Sequence, residues 1–157
     1  SIQVNDHLNL KAENMTNLTA FLKESGLLRG EDGFGKDTTE EITWMREKAA
    51  QGKYKITFYY TNAYQDSVEK TVDADVEGTL EDLTVTLKAD NIQLAVGSEF
   101  IAEDYIEIIS DPSGSGSRVS VTSSVDTLHA GNYEVRYTVV STDNTQKVSQ
   151  VLKVTVK

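Results

Sequence analysis

His7 and His129 are the only histidines in the 157 residues, and the chain contains no cysteine. Without thiols there is no disulfide, no zinc–sulfur site and no cysteine nucleophile. Two isolated imidazoles cannot complete a conventional zinc site without carboxylate help. Serines are plentiful, but no Gly-x-Ser-x-Gly elbow presents one as a nucleophile. Gly114-Ser115-Gly116 has neither that spacing nor a strand-to-helix setting. Gly30, Gly33 and Gly35 lack the Gly-Lys-Ser/Thr run and the preceding strand of a phosphate loop. Glu31-Asp32-Gly33 and Asp73-Ala74-Asp75-Val76-Glu77 offer oxygen ligands, and calcium at a domain junction is the one cofactor they suggest. Neither forms an Asp-x-Asp-x-Asp-Gly loop with a distal Glu. Asp73 and Asp75 alternate with apolar neighbours, as the wet face of a strand does. A pair of carboxylates could meet in space for glycoside hydrolysis, but nothing marks a cleft around one. These residues predict no catalytic centre, and the chain is expected not to be an enzyme.

Aromatic rings are the remaining candidates. Trp44, Tyr59, Tyr60 and Tyr64 are the predicted ligand contacts, with Phe34 nearby in sequence, because exposed rings stack on sugars and anchor interfaces. On an amphipathic helix, however, Trp44 reads as a core residue before it reads as a contact. Tyr59 and Tyr60 must point to opposite faces if their segment is a strand, so one faces away from the core unless something covers it.

Charge narrows the partners. Asp and Glu total 25 against 15 Lys and Arg, a net charge of −10. Such a surface repels nucleic acid and anionic membranes, and no basic stripe offsets it. No stretch approaches the length of a membrane span, so no membrane insertion is expected. The start at Ser1-Ile2-Gln3-Val4, without a leader, fits a fragment of a longer chain, expected to be monomeric.

The elements emerge from an internal repeat. Gly52-Lys53-Tyr54-Lys55-Ile56-Thr57-Phe58-Tyr59-Tyr60 matches Gly131-Asn132-Tyr133-Glu134-Val135-Arg136-Tyr137-Thr138-Val139 position by position. Each opens with Gly, a polar residue and Tyr, then alternates with the period of a half-buried strand. Glycine permits a tight entry, and the Tyr can bury its ring while its hydroxyl bonds nearby backbone. Polar turns follow, then a second alternation: Val72, Ala74, Val76 against Leu152, Val154, Val156. Upstream, Ile2-Gln3-Val4 aligns with Ile92-Gln93-Leu94, and Ala12-Glu13-Asn14 with Ala102-Glu103-Asp104. The unequal offsets place an insertion in the first copy, which also lacks an equivalent of Leu83-Thr84-Val85-Thr86-Leu87-Lys88.

The domains are thus predicted as 1–80 and 81–157, with the first carrying a helix-containing insertion at about 17–50. There Asn17 can cap a helix over residues 18–24 that Gly26 closes. Thr38 and Glu41 form a capping-box pattern ahead of a second helix over residues 42–50. The second domain reads almost wholly as short strands, and the fold class is mainly β, two consecutive sandwiches.

Two stretches carry a family resemblance: Ile92-Gln93-Leu94-Ala95-Val96-Gly97-Ser98-Glu99-Phe100, and Val125-Asp126-Thr127-Leu128-His129-Ala130-Gly131-Asn132-Tyr133-Glu134-Val135-Arg136-Tyr137. Both resemble the bacterial immunoglobulin-like (Ig-like) repeats of cell-surface proteins, of the kind found in Gram-positive organisms. The resemblance spans the second half and only the ends of the first. It implies tandem Ig-like modules, extracellular and wall-attached or secreted, used as a stalk or adhesin repeat. Host or cell-wall proteins and glycans are the implied partners. A binding module with its site in the first domain, or an accessory domain of a secreted hydrolase, are the alternative roles.

Overall fold

The computed structural model describes residues 1–61 and 67–157; Tyr64 lies outside them. The chain divides into two compact units, Ser1–Leu80 and Glu81–Lys157.

The first unit begins with two short strands, β1 (Ile2–Val4) and β2 (His7–Lys11), and a 3-10 turn over Ala12–Asn17. Helix α1 (Leu18–Glu24) follows, then β3 (Leu28–Gly30), β4 (Thr43–Ala50), β5 (Lys53–Thr61) and β6 (Ser67–Glu77). Strands β4, β5 and β6 run antiparallel in that order, and β2 joins the far side of β6 in parallel. β1 and β3 form a separate antiparallel pair. The alternation read from sequence is realised in β5, where Tyr54, Ile56, Phe58 and Tyr60 are all buried. They pack with Val72, Ala74 and Val76 of β6, Leu8 and Leu10 of β2, and Ile2, Val4 and Leu28 from the small pair.

Helix α1 closes this core from one side with Leu18 and Leu22, both fully buried. Its end is a Schellman motif. Gly26, at φ +72°, donates to the Lys23 carbonyl at 3.1 Å, and Leu27 donates to the Leu22 carbonyl at 2.8 Å. Asn17 occupies the N-cap position without a side-chain capping bond.

Residues 42–50 depart from expectation. The helix predicted there is strand β4, preceded by a single 3-10 turn at Thr39–Glu41. Its register sets Trp44 opposite Phe58 and Arg46 opposite Ile56. Arg46 therefore sits on the core-facing side, buried, with its guanidinium 5.9 Å from the centre of the Tyr54 ring. The long apolar stem and the ring face let a charged residue occupy that position. That charge hid the period-two pattern and left Ile42, Met45 and Ala49 looking like a helical stripe.

The second unit repeats the strand order. It contains β7 (Thr84–Leu87), β8 (Asn91–Leu94), β9 (Ile106–Ser110), β10 (Ser117–Ser123), β11 (Gly131–Ser141) and β12 (Gln146–Val156). β10, β11 and β12 are antiparallel neighbours, β8 joins β12 in parallel, and β7 pairs with β9. β2 of the first unit thus takes the place of β8, and β1 that of β7. The alignment of Ile2 with Ile92 was therefore one strand out of step, and the first unit does not lack the opening strand. The Ala12 and Ala102 match holds, since each begins a 3-10 turn, Ala12–Asn17 and Ala102–Tyr105. Val135, Tyr137, Leu152, Val154 and Val156 form the main buried cluster of this unit. The buried Gln146 side chain accepts from Leu83 N–H at 2.7 Å and donates to the Glu81 carbonyl at 3.1 Å, tying the entry segment to β12.

Candidate binding surfaces

The four aromatic residues singled out by sequence do not assemble into one platform. Trp44 shares the core-facing side of its sheet with Phe58 and packs, half-buried, against the hydrophobic cluster. Tyr60 is buried, and its hydroxyl donates to the Glu31 carbonyl at 3.2 Å. Tyr59 lies opposite Thr43 and Glu69, on the other face of the sheet from Trp44. Tyr64 is not among the described residues.

That outer face of the first unit is polar. Lys53 Nζ and His7 Nε2 both lie 2.8 Å from Asp75, and Lys55 lies 2.9 Å from Asp73. The Thr57 and Thr71 hydroxyls meet at 2.8 Å. The hydrogen bond from Lys53 holds the Asp75 carboxyl below its ordinary range, with His7 adding to it. Asp73 and Asp75 are therefore engaged by lysines across the sheet, the wet-face arrangement their alternation implies. Among the described residues, no three carboxylate or imidazole groups gather into a metal-ligand set.

Phe34 is the most exposed large apolar side chain described, at 86%. Its loop is held by one carboxylate. Asp32 Oδ1 accepts the N–H groups of Phe34 at 2.8 Å and Lys36 at 2.9 Å. Those two bonds, the Lys36 one foremost, depress the Asp32 carboxyl. Asp32 N–H donates to the Lys36 carbonyl at 3.0 Å, and Gly35 takes a φ of +84° that a side chain would resist. Arg29 flanks the loop base within 3.6 Å of Glu31 and 3.4 Å of Asp37. The ring is thus displayed on an ordered turn with charged residues around it. An Asp followed by glycines was the available signal, because Asp side chains close such turns on their own backbone.

The second unit has an open pocket of about 490 Å³ lined by Lys88, Glu99, Phe100, Ile101, Asp104 and Tyr105. The Phe100 and Tyr105 rings stand 5.6 Å apart at a 30° tilt. Nearby, the Tyr137 hydroxyl donates to the Ala102 carbonyl at 2.6 Å, and burial pushes that phenol's pKa up. His129 is exposed, and its contacts are local. Its Nδ1 lies 2.6 Å from Asp126, whose carboxyl that bond depresses, and its carbonyl accepts from the Tyr133 hydroxyl at 2.8 Å.

Residues 85–156, nearly all of the second unit, match the family described as the Ig-like domain of bacterial surface proteins. No curated protein matches the chain. Among solved structures, a lipoprotein of Bacteroides thetaiotaomicron is similar over 96% of this chain and 97% of its own. Identity there is 11% and the TM-score is 0.31, a likeness that carries no argument. The second unit, mainly β with open sheets, is thus similar over residues 85–156 to the Ig-like domain of bacterial surface proteins.

Proposed function

We propose that the chain is a non-catalytic extracellular module of a bacterial surface protein, two Ig-like repeats in tandem used as a spacer or adhesive segment. The observation that carries this reading is the common strand order. Each unit has a small antiparallel pair and a larger sheet whose early strand lies parallel to its last. The family match to residues 85–156 supports the surface setting, and the lack of cysteine accords with a Gram-positive source. The net charge of −10 keeps such a module soluble and away from anionic surfaces.

The exposed Phe34 favours a second reading, a recognition module with its contact on the first unit. A rigid ring on an ordered loop loses little entropy on binding and anchors interfaces well. A glycan and matrix-protein array, run with and without calcium, separates the two. A blank on folded protein supports the spacer. Saturable binding that Phe34→Ala abolishes makes the first unit a recognition domain. Hydrolysis of any array ligand by the purified chain would sink the non-catalytic reading.

A further inference from the structure

β10 is the outermost strand of the second unit's larger sheet. β11 satisfies one of its edges through a continuous register from Ser117↔Ser141 to Ser123↔Val135. Among the described residues no strand pairs with the other edge. An unpaired edge presents a row of N–H and C=O groups that proteins normally protect with charge, proline, a bulge or shortness. β2, the outer strand of the first unit's sheet, is five residues long and carries His7 and Lys11, and β8 is only four residues long. β10 has seven residues, no acid, no lysine, no proline and no bulge. Its one charge, Arg118, is turned aside to the Ser141 carbonyl at 3.4 Å and to the Asn144 side chain.

The strand is also wet on the side that should be dry. Val119 is opposite Val139 and Val121 is opposite Tyr137, so both valines continue the core face. Val139 and Tyr137 are fully buried, yet Val119 is 41% exposed. Its exposed flank therefore lies at the rim of the core.

The sequence of β10 is nearly symmetric about its centre: Ser117-Arg118-Val119-Ser120-Val121-Thr122-Ser123. A two-fold interface demands a patch that complements itself. Antiparallel pairing about Ser120 sets Ser120 against itself, Val119 against Val121 twice, Arg118 against Thr122 and Ser117 against Ser123. The valines then meet across the strands on the core face, and the small hydroxyl residues meet without a clash. No like charges fall opposite one another. In a chain of net charge −10, this acid-free strand is a place where a second copy can approach without direct repulsion.

We propose that a second copy of this chain docks edge to edge on β10, antiparallel about Ser120, so that two larger sheets become one. Seven residues give a contact only about 23 Å long, below the area of a stable interface. The dimer is therefore weak and forms where copies are crowded, while dilute samples stay monomeric.

Sedimentation equilibrium of the whole chain from about 10 μM to 1 mM brackets such an affinity. The expected result is a weight-average mass that climbs from 17.3 kDa toward twice that value. Ser120→Asp puts two carboxylates face to face at the axis and should hold the monomer mass throughout. Its thermal unfolding should match the parent, since Ser120 is exposed. The chain is free of cysteine, so Ser120→Cys should form a disulfide-linked dimer on oxidation. Thr122→Cys, whose partner position is Arg118, should crosslink at least tenfold more slowly. A mass fixed at the monomer value at every concentration overturns the proposal and leaves the edge to a strand of another protein. Association that survives Ser120→Asp, or equal crosslinking at the two positions, overturns it as well.

Discussion

The two units follow one strand order but fill it differently. In the first, Met15, Leu18, Leu22 and Leu28, from the 3-10 turn, α1 and β3, drop into the space beside β5, and a single buried cluster results. In the second, residues 97–105 stand in the corresponding stretch and contribute only half-buried rings, Phe100 and Tyr105, beside an open pocket. Its buried residues fall into two smaller clusters. The exposed apolar side chains follow the same division. Val96, Ile101, Ile108, Val119 and Leu128 belong to the second unit, and Leu27 and Phe34 to the first. One topology can therefore be completed by a helix or left partly open, and the open version is the one with surface to spare. Stability and stickiness trade against each other within one chain.

The largest test of this contrast is removal of the filling. Leu22→Ala leaves a cavity under α1 and should destabilise the first unit by about 2–5 kcal/mol, read by denaturant unfolding with the fluorescence of Trp44, the sole tryptophan. Phe100→Ala removes a ring that is only half-buried and should lower the stability of the second unit by about 1–2 kcal/mol, read by exchange of β11 amides. Equal effects would break the contrast.

The Gly-x-Tyr pattern gives the next test, because the same residue serves two ends. Gly52 takes a φ of +70° in the β4–β5 turn, with the Val76 carbonyl 3.3 Å from where a Cβ would sit. Gly131 has an ordinary backbone, and a Cβ there would meet only the Tyr133 ring at 3.4 Å or more. Gly52→Ala should therefore cost about 1–2 kcal/mol, and Gly131→Ala less than about 0.5 kcal/mol, both by chemical denaturation.

Acid should act more gently. Asp32, Asp37 and Asp75 in the first unit, and Asp126 in the second, have depressed carboxyl pKa values. The causes, largest first, are Lys36 N–H, the Thr39 hydroxyl, Lys53 and His129. A depressed carboxyl stabilises the folded state above its unfolded pKa, and that contribution is lost as pH falls through the folded value. Stability of the first unit should thus fall below about pH 4, and Asp75→Asn should flatten that fall, as read by denaturant unfolding against pH. All four carboxyls keep contact with solvent, so added salt should shrink the Lys53- and His129-dependent parts. Phe34→Ala is the smallest perturbation, expected to shift stability by less than about 0.5 kcal/mol while removing any binding the first unit shows.

How far this contrast could be read in advance depended on how local its causes are. β5, β6, β11 and β12 were legible because their apolar residues alternate without interruption. α1 was legible because its apolar spacing ends at a glycine that can turn left-handed. β4 was hidden because Arg46 and Lys48 stand opposite Ile56 and Tyr54, where the pattern demands apolar residues. The role of β1 was hidden because three residues carry too little pattern to reveal a partner across the chain. Among the rings, the split between Tyr59 and Tyr60 followed from alternation. Trp44 could not be placed without knowing that its segment was a strand. Phe34 was named, but its display depends on where the Asp32 side chain bonds, which no spacing states. The openness of β10 was out of reach for the same reason: a lone strand does not say whether its second edge is covered.

The parallel pairs of β2 with β6 and of β8 with β12 have a mechanical consequence. In each unit an early strand lies beside the last, running the same way, over His7↔Asp73 to Lys11↔Glu77 and Lys153↔Asn91 to Val156↔Leu94. Tension that draws such strands in opposite directions loads the ladder lengthwise, so its bonds must fail together instead of opening one by one like a zipper. Such a geometry resists tension along the strands, and the five-pair ladder of the first unit is expected to yield at higher force than the four-pair ladder of the second.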